Sequence, residues 1–355
     1  MKGWQALPAS FVWKLLYIAI FIILYGSFIA VMVWRHTLPL GFQRILYVIG
    51  TSWLAWMLYL TLFFLLTDFI LLLNRFVCFL PDALGNDPKI VHQIQAISGF
   101  ILVLAITTVG YIRFSNPEVE EIQLQIHKKA GSKKNLRVVT FSDVHLGMTV
   151  GKNRLDRYVK LINEQNPDLV LIAGDVVDNN PKYLDEERMY EEINRINAPL
   201  GIYACLGNHE YLNGIDGSLD FYAKTKIKVL RDDVASIDSS FWIIGRDDHS
   251  NTGRAGLSDL VSRTDSHQPL ILLDHQPYNL EQAEKNAIDL QISGHTHNGQ
   301  IWPFNLLVKK LYEVGYGAKQ KGNTFVYTSS GLALWGPPFR IGTQSELVVF
   351  DIRFE

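Results

Sequence analysis

The chain has 355 residues, of which 48% are apolar and 19% charged, and its formal net charge is −2. That length suits two or three domains, and a near-neutral balance without a long basic run argues against a nucleic-acid partner. Two cysteines placed far apart, Cys78 and Cys205, exclude a disulfide scaffold.

The apolar excess is concentrated in residues 1–114, which we read as a transmembrane region of three helices. Residues 15–34 carry no charge and exceed the roughly 20 apolar residues that cross a bilayer. They are too long for a signal-peptide core and lack a small-residue cleavage pattern, so the helix is expected to be retained. A second span runs over 45–73 and a third over 94–112, with Trp13, Trp34, Trp53, Trp56 and Tyr111 near the ends, as interfacial aromatics are. Asp68 and Arg75 share a helical face where the second span leaves the hydrocarbon, which favours an interfacial role over an intramembrane one. An odd number of spans puts the amino terminus and the following domain on opposite sides. Lys2, Lys14, Arg75 and Lys89 balance Arg35, Arg44 and Arg113 too closely to choose the side.

Residues 115–135 read as a linker, and the alternation over 121–126 suits an edge strand. Lys128, Lys129, Lys133 and Lys134 fit a solvated hinge better than a lipid contact. From 136 to 355 the texture is that of a globular α/β domain. A helical pattern covers 153–165, with Leu155, Tyr158, Val159 and Ile162 on one side, and another covers 184–197. Residues 234–237 and 241–244 flank Asp238-Ser239-Ser240 as a hairpin would.

Five stretches share one design, an apolar run ending in polar ligand-type residues. Residues 168–175 read Asp-Leu-Val-Leu-Ile-Ala-Gly-Asp, with Asp178 beyond. The others end in Ser142-Asp143-Val144-His145, Gly207-Asn208-His209-Glu210, Asp274-His275 and Gly294-His295-Thr296-His297. Buried strands of open α/β sheets present ligands at their carboxyl ends, and Gly174 allows a sharp turn there. Carboxylate, amide oxygen and imidazole suit divalent ions, so five such ends could hold two metals.

In this order the motifs Asp-x-His, Gly-Asp-x-x-Asp, Gly-Asn-His-Glu, a lone His and Gly-His-x-His resemble those of the calcineurin-like metallophosphoesterases, in particular a bacterial membrane-associated branch. The resemblance implies two mixed β-sheets packed face to face with helices outside, a four-layer α/β/β/α sandwich, over residues 136–355. It also implies one metal held by Asp143, His145, Asp175 and His297 and a second by Asp175, Asn208, His275 and His295, with Asp175 shared. Two cations about 4 Å apart repel, and a shared carboxylate lowers that cost while the ions acidify a water able to attack phosphorus in line. Manganese is the favoured ion, with iron, zinc or magnesium as alternatives. His209 is expected to stabilise the phosphoryl oxygens and protonate the leaving group. Asp178 and Glu210 are expected to orient neighbours or close turns.

The resulting expectation is a multi-pass cell-membrane hydrolase of phosphoester or pyrophosphate bonds, whose substrate is phosphorylated and lipid-linked. The membrane bilayer is its other partner, and oligomeric state stays open. The UDP-diacylglucosamine pyrophosphate hydrolases are one subset, although their soluble form has Arg where this chain has His209. A non-catalytic metal-binding scaffold and a transporter subunit are the rivals. Residues 298–303 and 335–340 carry aromatics on Gly/Pro-rich loops that suit a lipid-facing mouth or plain packing equally. Arg246, His249 and Arg254 fit packing better than a second phosphate site.

Overall fold

The computed structural model describes residues 2–34, 37–80, 87–178 and 181–355; Arg35, one of the charges weighed for orientation, lies outside them. The chain divides into two compact units, Met1–Tyr111 with Gly336–Pro338 and Ile112–Trp335 with Phe339–Glu355.

The amino-terminal unit is helical: α1 (Lys2–Ala6), α2 (Phe11–Trp34), α3 (Leu40–Val77) and α4 (Pro88–Ser115). Helices α2, α3 and α4, of 24, 38 and 28 residues, are long and apolar enough to cross a membrane. They overrun the apolar stretches read from sequence, because a helix continues past its apolar run until the chain supplies a stop or a cap. Asp87 does so for α4, its carboxylate accepting from the Lys89 amide at 2.8 Å ahead of Pro88. Glycine sets the closest crossings: a Cβ on Gly50 of α3 would strike the Phe28 backbone of α2, and one on Gly99 of α4 would strike the Phe63 ring of α3. Hydroxyls within the spans bond their own helix, Thr51 to the Tyr47 carbonyl at 2.7 Å and Thr107 to that of Val103 at 2.8 Å. Asp68 pairs with Lys2 at 2.6 Å and accepts from Gln95 at 3.1 Å.

The second unit contains β1 (Glu118–Ile126), β2 (Asn135–Phe141), α5 (Lys152–Glu164), β3 (Leu169–Ala173), α6 (Pro181–Glu186), α7 (Met189–Ile193), β4 (Ile202–Cys205), α8 (Asn208–Leu212), α9 (Ile215–Tyr222), β5 (Ile227–Val229), β6 (Asp233–Ile237), β7 (Phe241–Gly245), α10 (Leu257–Val261), β8 (Leu270–Leu273), α11 (Glu281–Lys285), β9 (Leu290–Ser293), α12 (Phe304–Leu311), β10 (Gly317–Lys321), β11 (Thr324–Thr328) and β12 (Glu346–Phe354). One sheet has the order β1-β12-β2-β3-β4-β5 and the other β10-β11-β9-β8-β7-β6. Both are mixed, and β2, β3 and β4 run parallel, as do β8 and β9. Their facing sides share one apolar core that includes Val138, Leu171, Ile243, Ile271, Leu273, Ile292 and Phe350. Alternate residues of β8, Leu270 and Leu272, pack on the other face against Leu257 and Leu260 of α10. Strands buried on both faces need uninterrupted apolar sequence, which is what the five runs supply.

Helix α5 buries Leu155, Tyr158, Val159 and Ile162, the stripe seen in the sequence. The single helix expected over 184–197 is instead two short ones, because Arg188 between α6 and α7 adopts φ 53°, a conformation no helix propagates. Strands β6 and β7 form an antiparallel hairpin whose turn residues Asp238 and Ser239 have φ of 49° and 52°, the left-handed pair that matches strand twist. Of the lysine cluster, Lys128 is tied to Asp289 at 2.8 Å.

Candidate metal centre

The five motifs leave the carboxyl ends of β2, β3, β4, β8 and β9; parallel register aligns those ends within each sheet, and the two sheets pack on one shared core. Asp143, His145 and His297 bring one ligand atom each within 4.8 Å of one another, and so do Asp175, His275 and His295. Asp175 Oδ2 also lies 3.8 Å from His145 Nε2 and 3.2 Å from His275 Nε2, which makes it the carboxylate between the two groups. Asn208 Oδ1 stands 3.2 Å from His275 Nε2 and 2.8 Å from His295 Nδ1. All seven residues singled out from the sequence as ligands therefore meet in one place, and His209 stands beside them, its ring 4.5 Å from that of His145.

Backbone geometry explains how. Asp143, His145, Asp175, His295 and His297 all have positive φ, between 47° and 70°. Such strain in residues with side chains gathers at functional sites, where the surroundings overrule local preference. Gly174 has φ +81°, and a Cβ there would strike the His275 ring and the Gly207 amide. A Cβ on Gly207 would strike the Asp175 carboxylate, so these two glycines let β3 and β4 end in contact with the cluster. Glu210, fully buried, ties the turns together: its carboxylate accepts from the amides of Val176, Val177 and Gly207 at 2.8–2.9 Å and from the Tyr222 hydroxyl at 3.0 Å. Burial and the Asp175 charge raise its pKa.

The protonation pattern tests whether cations fit. His275 donates Nδ1–H to the Ala173 carbonyl at 2.7 Å, leaving Nε2 to face Asp175 and Asn208 oxygens at 3.2 Å each. A nitrogen lone pair aimed at two oxygens is repulsive unless a cation or a proton sits between them. Accordingly the His275 pKa is raised well above the ordinary histidine value, burial opposing and the Asp175 charge prevailing. His145 Nε2 and His297 Nε2 face each other at 3.1 Å, with Asp143 Oδ1 at 3.7 and 3.4 Å from them, and the buried Nδ1 of each ring has no hydrogen-bond partner. Burial alone would raise Asp143 and Asp175; the facing imidazoles, His297 and His145 at Asp143 and His275 at Asp175, outweigh it and hold both carboxylates below their usual range, although burial draws the pKa of His297 itself well down. His295 is pushed down to about 4 by burial and the neighbouring His275 charge, which favours the neutral ring with one nitrogen lone pair available. Two buried anions, one amide oxygen and four imidazoles, without a thiolate, are a donor set for borderline divalent ions, and the residues fit two of them.

His209 is built differently. Its Nδ1 bonds Asp178 at 2.9 Å, and its backbone N–H donates to Asp175 Oδ1 at 2.9 Å. Burial opposes the charged ring, but Asp178 and Asp175 raise its pKa to about 9. The fixed Nδ1 leaves Nε2 for another partner. Trp335, half exposed, stands with its ring 6.0 Å from that of His209, and Tyr312 lies 6.4 Å from His295.

Sequence reading passed over Arg340. It is fully buried and donates to the carbonyls of His297, Ser330, Gly331 and Ala333, pinning the loop that carries His295 and His297. Burial draws its pKa down to about 10. No local pattern marks a buried arginine whose partners are all carbonyls. Arg246 and Arg254 both pair with Asp274, at 3.1 and 2.8 Å, within the domain.

Comparison with known proteins bears directly on this centre. Residues 136–299 match the model of the calcineurin-like phosphoesterase domain. An uncharacterized metallophosphoesterase of Aquifex aeolicus is 32% identical over 226 residues, covering 61% of this chain and 85% of that protein. The chain belongs to the calcineurin-like phosphoesterase family. The matched residues lie in the two mixed sheets and their flanking helices described above. An uncharacterized metallophosphoesterase of Campylobacter jejuni is 36% identical over 246 residues, 67% of this chain and 63% of its own. A Danio rerio transmembrane protein with metallophosphoesterase domain is 29% identical over 279 residues, 71% and 61% respectively. The chain thus spans less than two thirds of the length of these last two relatives. Its three long apolar helices, together with relatives named as transmembrane, make this a membrane-associated member of the calcineurin-like phosphoesterases.

Proposed function

We propose that the chain is a multi-pass membrane hydrolase that cleaves a phosphoester or pyrophosphate bond of a lipid-linked substrate at a two-metal centre, with manganese as the favoured ion. Asp143, His145, Asp175 and His297 would hold one ion, and Asp175, Asn208, His275 and His295 the other. The observation that carries this reading is His275 Nε2, which faces the oxygens of Asp175 and Asn208 at 3.2 Å each with its other nitrogen already committed. When bound, such ions polarise the phosphoryl oxygens and acidify a water for in-line attack.

The protein's own groups do the rest. Asp175, shared by both sets, keeps negative charge between two cations. Glu210 and Arg340 fix the turns from beneath, so the donor atoms need no reorganisation when substrate arrives. His209, anchored by Asp178, points Nε2–H to the open side, where it can bond a phosphoryl oxygen and pass its proton to the leaving oxygen. A substrate held in lipid is favoured because the same chain carries three helices of membrane-crossing length and because Trp335 presents a half-exposed ring beside His209.

The test is hydrolysis of bis(p-nitrophenyl) phosphate and of a phospholipid in mixed micelles by the Mn²⁺-loaded full chain, comparing the wild type with Asp175→Asn and His209→Ala. A diesterase signal lost in Asp175→Asn, and preference for the phospholipid over its water-soluble headgroup ester, is the expected outcome. Equal background rates in all three proteins at confirmed metal occupancy would overturn the enzyme reading. Equal rates on the phospholipid and the headgroup ester would overturn the lipid-linked one.

A further inference from the structure

Directly after the loop of His295 and His297 the chain does something a soluble domain avoids. Trp302 is exposed, and it is followed by α12, Phe-Asn-Leu-Leu-Val-Lys-Lys-Leu, none of whose residues is buried. Phe304, Leu307 and Leu311, spaced i, i+3 and i+7, form one apolar stripe that is 46%, 51% and 65% exposed, and Leu306, 59% exposed, falls between the two lysines on the other side. Folding gains nothing from leaving such a stripe in water. The polar part of the helix is basic: Lys309 and Lys310 both lie in its last turn and are exposed, whereas Lys319 and Lys321 nearby both pair with Glu313. Aromatic rings join α12 to the centre, since Tyr312, its C-cap, stacks on Tyr278 at 5.2 Å and lies 6.4 Å from His295.

We propose that α12 with Trp302 is an interfacial helix that lies in the headgroup region of an anionic bilayer and sets the mouth of the metal centre against that surface. Two features identify the bilayer as the occupant. A stripe of phenylalanine and leucine with lysines off it, preceded by an exposed tryptophan, is the composition of helices that lie in a membrane interface, and the lysine pair complements anionic headgroups. In addition the bilayer is always at hand, because only Asn116 and Pro117 separate α4, a helix of membrane-crossing length, from β1 of this domain. Contact is then intramolecular in effect, so a helix of 8 residues, too short to recruit a free protein, suffices to orient a tethered one. For its catalytic consequence the proposal rests on the lipid-linked substrate reading above: a docked α12 delivers a headgroup to the centre without the lipid leaving the bilayer.

The experiment uses the full chain with Cys78→Ser, reconstituted one copy per nanodisc, and an environment-sensitive fluorophore on Leu307→Cys, with Lys160→Cys as the control. In discs containing phosphatidylglycerol the probe at 307 is expected to shift to the blue and to be quenched by spin-labelled lipid, while the probe at 160 is not. Removing the anionic lipid, or making Lys309→Gln and Lys310→Gln, is expected to weaken the quenching by about fivefold per lysine. Leu307→Glu with Leu311→Glu is expected to leave hydrolysis of a soluble diester unchanged and to cut hydrolysis of disc-borne phospholipid by about tenfold or more. A probe at 307 that stays in water overturns docking, whatever the lipid activity. A blue shift that lipid does not quench, seen when several copies share a disc and absent at one copy per disc, makes a second copy the occupant and also overturns it. Quenching without any phospholipid hydrolysis leaves docking standing and overturns the substrate reading instead.

Discussion

The two units of this chain use the same apolar vocabulary in opposite senses. In α2, α3 and α4 the large apolar side chains point outward, with Ile22, Ile23, Leu65 and Ile97 each more than half exposed, and small residues such as Gly50 mark the crossings. In the α/β unit the apolar residues point inward between two sheets, and the small residues, Gly174 and Gly207, mark the approach of backbone to polar side chains. Polar groups follow the same inversion. Within the spans the hydroxyls of Thr51 and Thr107 are satisfied by their own helices, whereas at the strand ends the ring nitrogens of His145 and His297 face each other at 3.1 Å. Polar groups in the first unit are a cost kept low by local bonding, and in the second they are a cost held ready for a cation.

Substitutions in the second unit should therefore strike chemistry, and those in the first should not. The largest effect is expected from Asp175→Asn, which removes the shared anion: a loss on the order of 10³-fold or more in kcat on bis(p-nitrophenyl) phosphate. His209→Ala should cost about 10²–10⁴-fold on an alkyl phosphodiester and far less on the nitrophenyl ester, whose leaving group needs no proton. Equal losses on the two substrates would remove His209 from the acid role. Arg340→Met leaves buried carbonyls of the His297 loop without donors, and should lower stability by roughly 2–4 kcal/mol in a denaturant titration, with metal affinity falling alongside. Gly50→Leu forces α2 and α3 apart at about 1–3 kcal/mol, yet soluble diesterase activity should persist, and its loss would dissolve the division drawn here. Smallest of all, Lys2→Ala removes a partly exposed partner of Asp68 and should cost less than about 1 kcal/mol in thermal unfolding.

The five strand-and-ligand runs and the three long apolar helices were legible because each is a local pattern: a buried strand demands continuous apolar residues, and a polar ligand can follow only where the strand stops. Hence Asp143, Asp175, Asn208, His275 and His295 are legible as residues at strand ends, which the fold distributes over two sheets. What stayed hidden is non-local. The parallel pairing of β1 with β12 joins residues 118–126 to 346–354, and no periodicity announces it. Arg340 reads as a loop arginine until four carbonyls surround it. The break at Arg188 escapes because a helical pattern on both sides conceals one residue with positive φ. The exposed stripe of α12 escapes for the reason that an apolar helix face in sequence is ordinarily assigned to a core.

Metal content decides most directly whether the facing donors at the strand ends are a cation site. Purified full chain, dialysed against Mn²⁺ and measured by elemental mass spectrometry, is expected to hold two ions per chain, and Asp175→Asn no more than one, with equal folded fractions by circular dichroism. Wild type and Asp175→Asn retaining the same metal, or neither retaining any, would contradict the assignment of a shared carboxylate between two ions.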